Sequence, residues 1–332
     1  MRTTGAAIAL ATLLTACGGG GGGSTTTTTP PAASVYTPSA TVLAAKQVNY
    51  PTPFYASVGA GGLGCIGVLS TTVYVLPNSI TYAAAGVGEL AQQQAAEYAE
   101  QAVGEIRTAL GLTSTTGFTG NRVQVCAQTN LILGFGTGTG EKDGLIVASS
   151  DSPNLDRGYL TNGFDLYKKL LKHEMAHVYH NAALGTNSAV MDTWFAEGLA
   201  EYIASGKSTK PKAEIMALVN TQNPIAVTST GFSNVLNSYP AFQSSVAYLY
   251  DSNGAKNNLS ELPAFLAALK TNYTTASMNC AATNTCSTFR ETAFTQSFEA
   301  HFKEADGTAM KLRAGTNNLQ STVATRLNTF LQ

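Results

Sequence analysis

Charged residues are scarce in this chain of 332 residues. They make up 12% of the sequence, with 19 Lys and Arg against 20 Asp and Glu, and the formal net charge is −1. The basic residues are scattered, so they form no positive patch of the kind that binds a phosphate backbone. We therefore expect no nucleic-acid partner, and the many uncharged Thr, Asn, Ser and Gln residues are typical of an exported protein.

The sequence has no Cys-x-x-Cys pair, although it contains five cysteines. That absence disfavours a cysteine-based zinc site, which stays the alternative use of these residues. Apart from Cys17, the even count of Cys65, Cys126, Cys280 and Cys286 predicts two disulfides in an oxidising compartment, with three possible connectivities. Five residues separate Cys280 from Cys286, so we expect a local loop closure there and a bond between Cys65 and Cys126.

The apolar run near the amino terminus is too short to be a permanent membrane span. It covers Ala6 to Leu14 and is followed by Thr15, Ala16 and Cys17. This pattern resembles a bacterial lipoprotein signal peptide over residues 1–16, and the resemblance implies cleavage before Cys17 and acylation of that residue. An ordinary signal peptide with an incidental cysteine is the alternative.

The residues after Cys17 predict a flexible tether. Residues 17–40 contain six consecutive Gly and a Ser-Thr-Pro run, a composition that buries no core. Gly rather than Asp at position 18 favours the outer membrane of a double-membraned bacterium. We expect a membrane contact through the lipid, and a folded domain over residues 41–332.

The motif His173-Glu174-Met175-Ala176-His177 is the most informative part of the chain. The apolar pattern of residues 162–180 predicts a helix, on which residues four apart share a face. His173 and His177 can then bind one zinc ion at about 2.0–2.1 Å. Glu174 is placed to take a proton from water that the metal activates.

A second acidic helix is predicted after this motif. Nineteen residues separate His177 from Glu197, enough for a loop and a returning helix. Glu197 can supply the third protein ligand of a catalytic zinc ion, which leaves one position open. Glu201 lies on the same helical face and can hold a ligating His by a hydrogen bond to its other nitrogen.

The combination of HEMAH, the gap of nineteen residues and WFAEGLAEY resembles the gluzincin metallopeptidases, especially the peptidase-MA-like group. The resemblance implies one Zn²⁺ per chain, with His173, His177 and Glu197 as ligands, Glu174 as general base and Glu201 behind the ligands. The metzincin spacing is absent, because that pattern needs Gly at position 180 and His at 183. His180 is therefore predicted to be a residue of the helix end.

The same resemblance suggests a residue that stabilises the oxyanion. In these families a Tyr opens a helix about ten residues before a hydrophobic pair, and Tyr239 has that place before Tyr248 and Leu249. Simple packing is the alternative role for Tyr239. Tyr248, Tyr250 and His301 are the other candidates.

A strand that holds the substrate is predicted just before the motif helix. The segment Gly144, Leu145, Ile146, Val147, Ala148 is β-prone, and zincins bind extended peptides along an edge strand. An ordinary buried strand is the alternative. The glycine-rich residues 134–141 are predicted to be a flexible loop, without the Gly-Lys-Ser/Thr of a phosphate site. They also lack the Gly-x-Met-Glu-Asn segment of aminopeptidase-N-like enzymes, which favours endopeptidase activity.

The order of predicted elements indicates an α+β protein with a zincin-like catalytic fold. Short strands are expected from 34 to 80, a long helix from 83 to 110, and strands at 123–126 and 145–148. Helices are expected around Glu197, at 212–220, 239–250, 262–269 and 289–304, and at the carboxyl terminus. This gives a mixed β-sheet lobe over about 41–160 and a mainly helical lobe over about 161–332.

We therefore expect a monomeric, lipid-anchored zinc metallopeptidase of the cell envelope that acts on peptides or proteins. The alternative is a non-catalytic surface lipoprotein that keeps a zinc fold to bind peptides or cell-envelope partners. A zinc hydrolase of non-peptide amides would use the same chemistry.

Overall fold

The computed structural model describes residues 36–51, 54, 65, 69–114, 116–129, 137–142, 144–149, 164–185, 190–228, 235–283 and 288–332. The predicted signal peptide, Cys17 and most of the tether lie outside these residues, as does the predicted bond between Cys280 and Cys286. No helix within the described ranges combines the length and apolar character needed to cross a membrane.

Six strands form one mixed sheet in the order β1-β2-β3-β4-β6-β5. They are β1 Lys46–Gln47, β2 Val73–Val75, β3 Ser79–Ala83, β4 Val123–Thr129, β5 Thr137–Glu141 and β6 Gly144–Ser149. β3, β4 and β6 run parallel, whereas β1, β2 and β5 pair antiparallel with their neighbours. All five residues of β3 are buried, as in a strand covered on both faces.

Nine helices surround or follow this sheet in the described part of the chain. They are α1 Ala40–Ala44, α2 Glu89–Ala109, α3 Phe164–Leu184, α4 Thr193–Ser205, α5 Lys212–Thr221, α6 Val235–Tyr250, α7 Leu262–Thr283, α8 Phe289–His301 and α9 Leu319–Phe330. The predicted α/β composition, the mixed sheet and the helical carboxyl-terminal part are confirmed.

The long helix α2 packs on the sheet with a face of small residues. Ala91, Ala95, Ala99 and Ala102 are all buried there, and their small size lets the helix lie close to β3 and β4. The same helix also contacts α3, where Glu105 forms ion pairs with Lys168 and Lys172.

Several predicted element boundaries are wrong: the motif helix continues to Leu184, and the helix predicted at 262–269 continues to Thr283. The residues before β1 include the short helix α1, which begins after Ser39 because the hydroxyl of Ser39 accepts a hydrogen bond from the backbone N–H of Val42. The helix that carries Tyr239 begins at Val235, so Tyr239 lies within α6 instead of at its start. Pro240 in its second turn removes one backbone donor without ending the helix.

The predicted edge strand is also wrong. β6, Gly144–Ser149, lies between β4 and β5, so it is an inner strand. Within the described part of the chain the edge is β5, Thr137–Glu141, which lies among residues predicted to be a flexible loop. Antiparallel pairing with β6 satisfies the backbone groups that β5 turns toward that strand, which is why a glycine-rich sequence is extended here.

The predicted bond between Cys65 and Cys126 is confirmed. The two Cα atoms are 5.9 Å apart, and Cys126 is fully buried in β4. The disulfide therefore ties the chain near residue 65 to the centre of the sheet across a sequence separation of 61 residues.

Gly198 allows α4 and α6 to pack with their backbones close together. A Cβ atom at this position would lie 2.5 Å from the carbonyl oxygen of Phe242 and 2.9 Å from a methyl carbon of Val246. The glycine of the EGLAEY segment is therefore required by helix packing, which also brings α6 to the face of α4 that carries Glu197.

We predict that Gly198→Ala lowers the free energy of unfolding by about 1–3 kcal/mol or more, because the added methyl group has no space. Gly104→Ala is the matched control: it also lies within a helix, but a Cβ there meets nothing within 4 Å. The control should be neutral or more stable by up to about 1 kcal/mol. Urea denaturation followed by circular dichroism measures both, and equal midpoints for the two variants would contradict the close packing.

Candidate metal centre

Three side chains from two helices converge on one point. His173 and His177 lie one turn apart on α3, and Glu197 lies on α4. The two Nε2 atoms are 3.1 Å apart, and Oε2 of Glu197 is 3.5 Å from Nε2 of His173 and 3.4 Å from Nε2 of His177. These three residues form the group of potential metal ligands that is found among the described residues.

The spacing of these donor atoms suits a single metal ion. Ligand atoms at about 2.0–2.1 Å from a tetrahedral ion are about 3.3–3.4 Å apart, whereas atoms on one face of an octahedron are about 3.0 Å apart. The separations of 3.4 and 3.5 Å that involve Glu197 lie closer to the tetrahedral value, whereas the 3.1 Å between the two histidines lies closer to the octahedral one. Two imidazoles and one carboxylate can thus hold a divalent metal ion, and zinc is one of the ions that such a set binds.

The carboxylate of Glu201 contacts His173 at Nδ1, the ring nitrogen that does not face the other potential ligands. Its Oε1 lies 3.1 Å from Nδ1 of His173, and its Oε2 lies 2.6 Å from Nζ of Lys169. Burial raises the pKa of Glu201, but His173 and Lys169 lower it to about 2. The carboxylate is therefore ionised, in the place that the sequence predicts for a residue behind the ligands. The contribution of Lys169 was not foreseen.

His180 is a buried residue of the site, and its prediction as a helix-end residue is wrong. α3 continues to Leu184, and His180 is 3% exposed. Its Nε2 lies 3.1 Å from Nδ1 of His177. The spacing of three residues from His177 places both side chains on one face of the helix, and that spacing was the signal in the sequence.

Glu174 is buried beside the predicted ligands. Desolvation raises the pKa of its carboxyl group, the nearby His173 and His177 lower it, and Glu197 and Glu201 raise it further. The net shift is upward, as suits a carboxylate that accepts and returns a proton near neutral pH. The structure therefore brings the predicted base into the electrostatic environment of the three ligands.

Tyr239 also reaches the site. Its ring stacks on His173 with 6.1 Å between ring centroids, and its hydroxyl lies near enough to Glu197 for that carboxylate to act on its pKa. Burial, together with the negative charges of Glu197, Glu174 and Glu201, raises the pKa of Tyr239 well above its ordinary value, so the hydroxyl keeps its proton.

The other candidates for the oxyanion donor lie elsewhere. The hydroxyl of Tyr248 accepts a hydrogen bond from Arg326, with 3.0 Å between the atoms. Tyr250 stacks on Tyr202, and Nδ1 of His301 lies 3.0 Å from the backbone oxygen of Ser297. Packing explains these residues, and none of them belongs to the metal-ligand group.

The charges of the site favour a cation among the three ligands. Burial lowers the pKa of His173, but hydrogen bonds to Glu197 and Glu201 raise it to about 10. Burial raises the pKa of Glu197, yet the two histidines hold it well below its ordinary value. In the metal-free protein a proton on His173 therefore provides the positive charge that an ion would bring.

The edge strand β5 lies directly against the motif helix. A Cβ at Gly140 would lie 2.1 Å from the backbone oxygen of Glu174 and 2.8 Å from Cβ of His177. The side-chain amide of Asn181 donates a hydrogen bond to the backbone oxygen of Gly140, with 3.1 Å between the atoms. The absence of a side chain at Gly140 thus lets a strand pass beside the predicted base Glu174 and the predicted ligand His177.

The start of α4 is anchored by a buried ion pair that sequence reasoning missed. Asp192, which precedes the helix, is 1% exposed and pairs with Arg313. It also accepts a hydrogen bond from the indole of Trp194 at 3.3 Å. Burial raises the pKa of Asp192 to about 6, although Arg313 opposes this shift.

Comparison with protein-family models and with curated protein sequences yields no match to this chain. The motif and the geometry around it are therefore the basis for assigning a function.

We predict that binding of zinc near pH 7 releases roughly one proton per ion, because the ion displaces the proton from His173, whose pKa is about 10. Below this pKa a proton competes with the metal for the nitrogen of His173. The affinity for zinc should therefore rise about tenfold per pH unit from pH 6 to pH 8. Titration calorimetry in buffers of different ionisation enthalpy measures the release. Glu201→Gln is the control, since loss of that carboxylate should reduce the number of protons released; a wild-type value of zero would contradict the raised pKa.

Proposed function

We propose that this chain is a zinc-dependent peptidase of the gluzincin type. It acts outside the cytoplasm on peptide or protein substrates and cleaves their internal peptide bonds. A single observation carries this proposal: the Nε2 atoms of His173 and His177 and Oε2 of Glu197 lie within 3.5 Å of one another. The buried Glu174 is their neighbour on the same helix. The mixed sheet followed by a helical part supports a zincin-like arrangement, with the site between two helices of the second part.

His173, His177 and Glu197 would hold the ion. Zinc suits a set of two imidazoles and one carboxylate, whereas Mg²⁺ and Ca²⁺ prefer oxygen ligands alone. When bound, zinc acts as a Lewis acid that activates water and polarises a carbonyl group near neutral pH.

Glu174 is the proposed general base. Its raised pKa, which burial causes, matches a group that takes a proton from water as that water attacks the peptide carbonyl. The same carboxyl group then passes the proton to the nitrogen of the departing amine. One residue thus serves as base and acid in turn, and the proton count balances over the cycle.

Tyr239 is the proposed donor to the carbonyl oxygen. Its hydroxyl keeps its proton because the pKa is raised by burial and by the neighbouring carboxylates. A donor already in place next to the ligands stabilises the negative charge that develops on the oxygen in the transition state.

The edge strand β5 is the proposed substrate-binding strand, in place of residues 144–148. Among the described residues β5 pairs with β6 alone, and Gly140 brings it against Glu174 and His177. An extended peptide could add to its outer side through main-chain hydrogen bonds, which hold many sequences with little selectivity.

The proposed cellular setting comes from the amino-terminal sequence. Acylation at Cys17 would anchor a monomer to the outer membrane, and residues 18–35 would act as the tether, because the folded part already includes Tyr36 and the cap of α1 at Ser39. A site held away from the lipid in this way is accessible to peptides in the envelope.

We predict that Glu174→Gln retains zinc but loses more than about 10²-fold in peptide cleavage, because the amide accepts no proton. A peptide-library digest read by mass spectrometry, with and without a chelator, measures activity, metal dependence and cleavage preference together. Glu214→Gln is the control, since that exposed carboxylate pairs with Lys210 far along the chain from the motif. Digestion by Glu174→Gln at the wild-type rate would remove Glu174 from the mechanism, and a zinc-loaded wild type that cleaves no peptide would favour a binding protein.

We predict that His177→Ala purifies without stoichiometric zinc, because two remaining ligands bind the ion far more weakly than three. Elemental analysis of the purified protein measures the metal directly and also identifies it. His301→Ala is the matched control, because His301 contacts Ser297 and Phe265 and lies outside the ligand group. Zinc at one equivalent in His177→Ala would place the ion elsewhere, and iron in the wild type would replace the proposed hydrolysis with redox chemistry.

A further inference from the structure

The two histidine ligands are held by different partners. Nδ1 of His173 faces the carboxylate of Glu201 at 3.1 Å, whereas Nδ1 of His177 faces the imidazole of His180 at the same distance. A carboxylate is a common partner of a metal-binding histidine, but a second neutral imidazole has to adopt one particular tautomer to fill that role.

The direction of the hydrogen bond follows from the metal site. Nε2 of His177 faces Nε2 of His173 and Oε2 of Glu197, so its lone pair must be free if it binds an ion there. The proton of His177 is then on Nδ1, which donates to Nε2 of His180. His180 must accept with Nε2 and carry its own proton on Nδ1.

The burial of His180 supports a role beyond packing. The residue is 3% exposed, and its Nδ1 has no hydrogen-bond partner among the described residues. A buried polar group without a partner is unfavourable, so an apolar side chain would fill this space at lower cost if packing were the sole requirement. The useful atom of His180 is therefore the Nε2 that faces His177.

We propose that His180 is a positioning residue that fixes the tautomer and the ring orientation of His177 for metal binding. This inference rests on the metal site of the proposed function, but it does not require that the substrate be a peptide. It extends the site beyond the three ligands, the base and Glu201.

The test compares His180→Gln with His180→Leu in the full chain. The Gln side chain can place an amide oxygen where Nε2 of His180 lies, whereas Leu fills the space without an acceptor. We expect the Kd for zinc, measured by competition with a chromophoric chelator, to rise about 10–100-fold in His180→Leu. His180→Gln should recover most of that loss, and the absorption spectrum of its cobalt-substituted form should resemble that of the wild type.

The metal-free variants show whether a loss of affinity comes from misfolding. His180→Leu should unfold within a few degrees of the wild-type temperature, because it removes the unpaired buried N–H of His180 but leaves the N–H of His177 without its acceptor. Equal zinc affinity in all three proteins, or equal losses in the Gln and Leu variants while both remain folded, would overturn the proposal.

A measurement on the wild type tests the direction of the hydrogen bond between His177 and His180 even if a variant does not fold. Long-range ¹H–¹⁵N correlation spectra of the zinc-loaded protein distinguish the imidazole tautomers of its four histidines. We expect a proton on Nδ1 of His177 and on Nδ1 of His180; a proton on Nε2 of His180 would refute the assigned direction.

The outcomes also separate this inference from the peptidase. A wild type that binds zinc but leaves every peptide intact would end the proposed activity, while the zinc affinities of the variants would still decide the role of His180. A wild type that takes up no zinc would overturn both.

Discussion

The approach of α4 to α3 is the constraint on which the rest of the site depends. It puts one carboxylate oxygen of Glu197 within 3.5 Å of the Nε2 atoms of both His173 and His177. The two histidines share a face of α3 through helical periodicity alone, but the third donor has to come from another element. The buried ion pair at the start of α4 and the close packing at Gly198 hold that second helix in place.

This arrangement concentrates negative charge in the protein interior. Glu174 is buried, Glu197 and Glu201 are largely enclosed, and two imidazoles lie between them. Burial of carboxylates is costly unless a cation compensates them. Lys169 provides part of that compensation at Glu201, and a proton on His173 provides more, so the metal-free protein already has the electrostatic character of a cation site.

Local patterns allowed most of the candidate site to be predicted. The four-residue spacing of His173 and His177 and that of Glu197 and Glu201 placed each pair on one helical face, and the structure has both pairs facing the same point. Tyr239 was predicted at the site and reaches it, although its helix begins earlier than expected. His180 was misjudged because comparison with a motif asks which residues bind metal and ignores those that hold the ligands.

The sheet shows where such reasoning fails. The apolar residues of β6 predict an edge strand and the glycines of β5 predict a loop, yet among the described strands β5 is the edge and β6 lies inside. Strand order depends on pairing between distant segments, and neither β-propensity nor glycine content specifies which strand has a free side. Glycine is necessary at position 140 because the space that a side chain would need there is occupied by α3, a helix that begins more than twenty residues later.

The amino-acid sequence by itself determined the helical faces and the identity of the potential ligands and base, and it favoured the pairing of Cys65 with Cys126 among three possible connectivities. These features follow from backbone hydrogen bonds that repeat every 3.6 residues and from the small number of available cysteines. Tertiary structure alone decided which strand lies beside the site, that Lys169 and His180 stand behind its ligands, and how far burial shifts each pKa. Those properties depend on distances between segments that are far apart in the chain, and packing sets such distances.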